Sequence, residues 1–154
     1  MKGESIHALN IRVYLEIQLL DQGRIVLADP IGDHWHSLAL ANHNIFRLDK
    51  DGNVLWQVTR DERGKVNWSL LNELAQAKGL EGAKHRFEAI WCKNPLTGES
   101  SFDLETGTPI PDFQWKPGMQ IMARADGIAN NLYEIDIDTG IAVNVTPPGP
   151  KRPW

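Results

Sequence analysis

At 154 residues the chain predicts one domain, and 42% hydrophobic against 23% charged residues is the balance of a globular protein with its own core. A formal net charge of −4 leaves no basic footprint for a nucleic-acid backbone, so the six tryptophans read as core residues rather than base-stacking platforms. The single cysteine, Cys92, excludes an internal disulfide framework and fits a reducing compartment.

Residues 1–5 carry no apolar run behind them, and Arg12, Glu16 and Gln18 interrupt the segment that follows. Neither a signal peptide nor a membrane span is expected, and the predicted location is cytoplasmic. From 11 to 19 apolar residues then fall on every second position (Ile11, Val13, Leu15, Ile17, Leu19), which is the period of a strand with one buried face. A turn at 21–23 returns the chain as a strand over 24–29, broken at Pro30. Residues 37–41 read as a further strand. Next come Phe46 and Leu48 on one face, a turn at Asp51-Gly52, and Val54, Trp56 and Val58 sharing a face after it.

The one helix is predicted at about residues 68–78. Asn67 caps it, Gly79 ends it, and Leu70, Leu71, Leu74 and Ala77 supply an apolar stripe. Strands resume around Phe87–Cys92, at 100–105, around Met119–Ala123, around Tyr133–Ile137, and finally around Ile141–Val145. The expected fold is therefore mainly β: an antiparallel curved sheet, sandwich or partial barrel with one α-helix. Residues 1–146 form a single β-rich domain, and 147–154 (PPGPKRPW) form a Pro-rich C-terminal tail of extended character.

One device recurs. Asn44 to Val58 (NIFRLDKDGNVLWQV) aligns without a gap on Asn131 to Val145 (NLYEIDIDTGIAVNV) at the Asn, the aromatic, two Asp and the final Val. SFDLETG at 101–107 resembles the middle of the same unit. The spacing of Phe46, Leu48, Asp49, Gly52 and Trp56 resembles hairpins of quinoprotein-type β-propellers. A propeller needs at least about four four-stranded blades, more than this length holds, so the propeller's cofactor function does not carry over. In layout, with Leu48-Asp49-x-x-Gly52, Trp56-Gln57-Val58 and Tyr133-Glu134-Ile135-Asp136 on hairpins beside one helix, the chain resembles bacterial immunity proteins. That resemblance implies a non-catalytic binding protein that neutralises a cognate protein toxin by occluding it.

Several groups of residues could carry chemistry instead. Asp49-x-Asp51-Gly52 and Asp136-x-Asp138 hint at calcium, but the twelfth residue from Asp49 is Arg60, where an EF-hand needs a bidentate carboxylate. Asp and Asn bonding their own turn is the ordinary explanation. His34 and His36 share a face if extended and could hold a metal with His43 or Asp33, the basis for an alternative small metal-dependent hydrolase. Cys92 is read as a buried small hydrophobe, with a Cys92–His85 pair as the reactive alternative. No phosphate-binding, dinucleotide, nucleophile-elbow or zinc-protease motif occurs. No catalytic residues and no cofactor are assigned. The expected partner is a cognate toxin or effector domain, with no nucleic acid and no membrane. Asp49, Asp51, Asp61 and Glu62 are the expected partner-binding acids. A structural module of a larger assembly is a further alternative.

Overall fold

The computed structural model describes residues 12–28, 41–103, 105–126 and 130–147. The alternating apolar pattern at the start becomes β1 (Val13–Gln18), followed by β2 (Arg24–Ala28) and β3 (Ile45–Leu48). Then come β4 (Val54–Gln57), β5 (Thr59–Asp61) and the helix α1 (Trp68–Ala77). The chain ends in β6 (Ala89–Lys93), β7 (Gln120–Ala125), β8 (Asn131–Ile135) and β9 (Ile141–Asn144). The protein is mainly β, as the alternation predicted, with a single helix among the described residues.

Among the described residues the strands form two sheets, ordered β1-β2-β3-β4 and β5-β9-β8-β7-β6, and no closed barrel. Only Val58 separates β4 from β5, so the chain turns the corner from one sheet edge directly into the other. Every pairing is antiparallel except β5 with β9, which run parallel. The inward residues of both sheets meet in one cluster: Ile17, Ile25, Leu27 and Ile45 from the first, and Ile90, Cys92, Ile121, Ala123, Tyr133 and Ile135 from the second. Each such full burial of a large aliphatic side chain is worth about 1.5–3 kcal/mol. A second cluster of Val26, Ala28, Phe46 and Leu48 lies on the opposite face of the first sheet, which is why β2 reads as a continuous apolar run.

Two expectations of detail change. Val54, Trp56 and Val58 do not share a face. Leu48 pairs with Val54 and Arg47 with Trp56, so Leu55 is an extra residue on β4. That bulge flips the alternation. Val54 packs on the outer cluster, Trp56 and Val58 on the main core, and Leu55 is left exposed. The helix stripe is also rotated. Ala75 is buried, while Leu70 and Leu74 are 49% and 54% exposed. The inner face is chosen by Trp68, whose ring lies 5.3 Å from the Arg60 guanidinium carbon, and by Asn72, whose Oδ1 accepts the N–H of Ala83 at 3.0 Å. Asn67 caps α1 as expected, accepting from the N–H of Leu70 at 3.1 Å.

The recurring sequence unit is a turn. Asn94, Asp103 and Asp136 each use a side-chain oxygen to accept backbone N–H groups two and three residues on: Leu96 and Thr97, Glu105 and Thr106, Asp138 and Thr139. Their own carbonyls accept the N–H of Gly98, Gly107 and Gly140, at φ 78°, 70° and 74°. The Asp49 turn is one residue shorter. Its Oδ1 accepts from Asp51 and Asn53, and its N–H reaches the carbonyl of Asn53. That explains the one-residue shift of the glycine between the two long repeats. Two such turns close together leave the expected strand at 100–105 as isolated bridges, Lys93 to Ser100 and Phe102 to Pro109. We expect Asn94→Ala to destabilise by about 1 kcal/mol in denaturant unfolding, the loss of a comparable cap.

Of the expected strand at 37–41 only Ala41 is described, and it is helical rather than extended; Ile11 and the tail from 148 lie outside the described residues. Among the described residues no helix is long and apolar enough to cross a membrane.

Candidate functional site

The acids singled out from the sequence fall in three different settings. Asp49 and Asp51 belong to the β3–β4 turn of the first sheet, where Asp49 is occupied with Asp51 and Asn53. Asp61 closes β5 in the second sheet and pairs with the exposed Arg63 at 3.1 Å. Glu62, one residue on, points the other way, into a buried cluster. His34 and His36 lie outside the described residues. Among the described residues no three of His, Cys, Asp and Glu are grouped to hold a metal ion.

The buried cluster is what sequence reading missed. The Arg60 guanidinium donates to Glu62 (2.7 Å), to the carbonyls of Asn42 (3.0 Å) and His85 (2.6 Å), and to the Tyr133 hydroxyl (2.6 Å). Phe87 and Tyr133 present their rings to it at 4.5 and 5.0 Å. Glu62 accepts in addition from Tyr133 (2.6 Å) and Asn144 (3.2 Å). Burial raises the Glu62 pKa, but Tyr133, Arg60 and Asn144 outweigh it and hold the carboxyl below its usual value. Burial and the bond to Glu62 push the Tyr133 phenol up. The cluster is thus a fixed set of states: cation, carboxylate and neutral phenol, bonded to one another. It pins β5, three residues long, to β8 and β9. Cys92 is buried, burial raises its thiol pKa, and its N–H donates to Ser101 Oγ. The His85 ring meets Asn131 at 3.2 Å.

Two concavities flank this node. One, of about 510 Å³, lies between α1 and the segments around Asn42 and Gly82; Trp68, Asn72 and Gln76 line it from the helix, with His43, Glu62 and Glu81. The other, of about 550 Å³, opens on the outside of the second sheet. There the register sets a continuous cross-strand row, Asp61–Val143–Glu134–Met122–Trp91. Thr59 and Ile141 pair beside it on the same face. The concavity is walled by Asp61, Glu134 and Asp136 against one cation, Arg63, around partly exposed Ile141 and Val143, with Trp115 and Ile137, which also pack against the main core, in its lining. The N–H groups of Thr139 and Asp138 hold the Asp136 carboxyl below its ordinary value. The sequence signal for this face was present in the alternation of β8 and β9, but which acids share it depends on the parallel pairing of β5.

The fold and its surface define a two-sheet, mainly β protein with an acid-walled open face. No family model, curated protein or solved structure matches the chain.

Proposed function

We propose that the protein is a non-catalytic binding protein of the immunity type, and that it occludes a basic cognate toxin with the outer face of its five-stranded sheet. The observation that carries this is the wall of the outer concavity: three carboxylates to one arginine around the partly exposed Ile141 and Val143. Apolar anchors inside a charged rim are the composition of a protein-binding patch, and acidic charge steers a basic partner into it. The resemblance of the hairpins to immunity proteins supports the same reading. Asp61 stays in the contact set, and Glu134, Asp136, Ile141 and Val143 join it. Glu62 acts from behind, by holding β5 in place.

Affinity capture from the native cells tests this, run in parallel with the wild type and Asp61→Lys/Glu134→Lys. A basic protein that elutes one-to-one with the wild type, and at least tenfold less with the variant, supports the face. A stoichiometric partner retained equally by both moves the site elsewhere. With the purified partner, the association rate falls as salt rises, and more steeply for the wild type than for the variant.

A further inference from the structure

We propose that α1 and the strap behind it, residues 67–86, form a flap hinged at the core residue Phe87 that opens when a proton is forced onto His85. The proposal is independent of the binding reading. The strap is held by side chains. Asn42 bonds the carbonyl of Ala83 and the N–H of His85, and Asn44 bonds both the N–H and the carbonyl of Phe87. Arg60 takes the His85 carbonyl, while Asn72 takes the Ala83 N–H and so ties the helix to the strap within the flap. The helix itself buries fully only Ala75. Up to His85 the segment buries only Ala75 and Ala83 among its apolar side chains, while Phe87 is fixed in the core, so the part before Phe87 is a candidate for opening by itself, ahead of the sheets.

The latch of this flap is the His85 ring, which is 0% exposed. Asn131 Oδ1 accepts from Asn144 and Thr146, so its Nδ2 is the atom that faces His85 Nε2. Nε2 is then an acceptor, and the neutral ring carries its proton on Nδ1, which has no hydrogen-bond partner. A second proton on Nε2 would point at an amide donor. The charged groups around the ring are Arg60 from β5, Glu62 just beyond it, and Asp126 after β7. Trp68 covers it from α1 at 5.8 Å. Glu62 is already shared by Arg60, Tyr133 and Asn144, and Asp126 is paired with Arg124 at 2.8 Å, so neither carboxylate near the ring is without a cation of its own when a second proton arrives. Burial first, and Arg60 second, depress the ring from 6.5 to about 4. Once the flap opens, the ring regains its ordinary affinity. The open state therefore binds more protons between these values, and opening grows as pH falls from 6.5 towards 4.

Hydrogen exchange on the full chain at pH 7, 6 and 5 reads this directly as protection factors. Protection of amides in α1 and the strap is expected to fall roughly 20-fold from pH 7 to pH 5, while amides of β7 and β8 keep theirs. His85→Gln, which cannot take the proton, is expected to flatten that dependence. Equal loss in flap and sheet, no loss in the flap, or the same pH dependence in His85→Gln would each overturn the proposal. Wild-type histidine ring resonances give a check that needs no variant. A His85 ring titrating near 6.5 in the closed protein contradicts the latch, and one titrating well below it supports the latch.

Discussion

Arg60→Ala is expected to lower the unfolding free energy by about 3–5 kcal/mol, the largest single effect of a polar substitution in the protein. The guanidinium side chain is only 4% exposed and its Glu62 partner 10%. Removing it strands a buried carboxylate and leaves the carbonyls of Asn42 and His85 without their donor. It also removes the cation between the rings of Trp68, Phe87 and Tyr133. Glu62→Gln keeps acceptor geometry for Tyr133 and Asn144 but leaves Arg60 uncompensated, so a loss of similar size follows. The double variant Arg60→Met/Glu62→Leu removes both charges and is expected to lose less than the sum of the two single losses. Denaturant unfolding at pH 7 measures all three. Glu62 adds a pH dependence of known sign. Its folded pKa is depressed, so its contribution is present at neutral pH and is lost as pH falls through the folded value.

Gly140→Ala is the second large effect, about 3 kcal/mol. Two costs add there. The backbone sits at φ 74°, which a Cβ disfavours by about 1–2 kcal/mol. The added Cβ would also stand 2.5 and 2.6 Å from Cδ2 and Cε3 of Trp56. That ring cannot swing away freely, because its Nε1 donates to the carbonyl of Ile137 at 2.9 Å. Gly98→Ala separates the two costs. Gly98 has nearly the same φ, 78°, in an equivalent turn, with nothing within 4 Å of the added carbon. Only the backbone cost is expected there, so the difference between the two variants reports the contact with Trp56.

That contact shows how the two long sequence repeats relate in space. Trp56 and Arg47, opposite each other on β4 and β3, both donate to the carbonyl of Ile137 at 2.9 Å. The first copy of the unit thus holds the turn of the second. The repeat was visible in the sequence because the turn needs an Asx residue, a glycine and fixed spacing, all of which are local. The strands flanking these turns were visible for the same reason.

What escaped the sequence was set by contacts between distant segments. The bulge at Leu55 leaves the composition of β4 unchanged yet moves Val54 to the other face. The rotation of α1 follows from Arg60 and Ala83, which lie outside the helix. Arg60 and Glu62 stand in a run of charged residues, RDERGK at 60–65, in which nothing local distinguishes the buried pair from the exposed ones. Their burial depends on β5 pairing parallel with β9, a partner some eighty residues away. Asp61, between them, faces outward by simple alternation. The candidate site was legible to the same extent: Asp61 as an acid of a charged stretch, but its place on β5 and its neighbours Glu134 and Asp136 only once the sheet order was known.

The measurement that bears most directly on the account is a titration of the captured basic partner's own activity with the purified protein. Full inhibition at one equivalent, relieved by Asp61→Lys/Glu134→Lys while the variant remains folded, is the predicted result. A partner that stays fully active when saturated, or is inhibited equally by the variant, contradicts occlusion by this face.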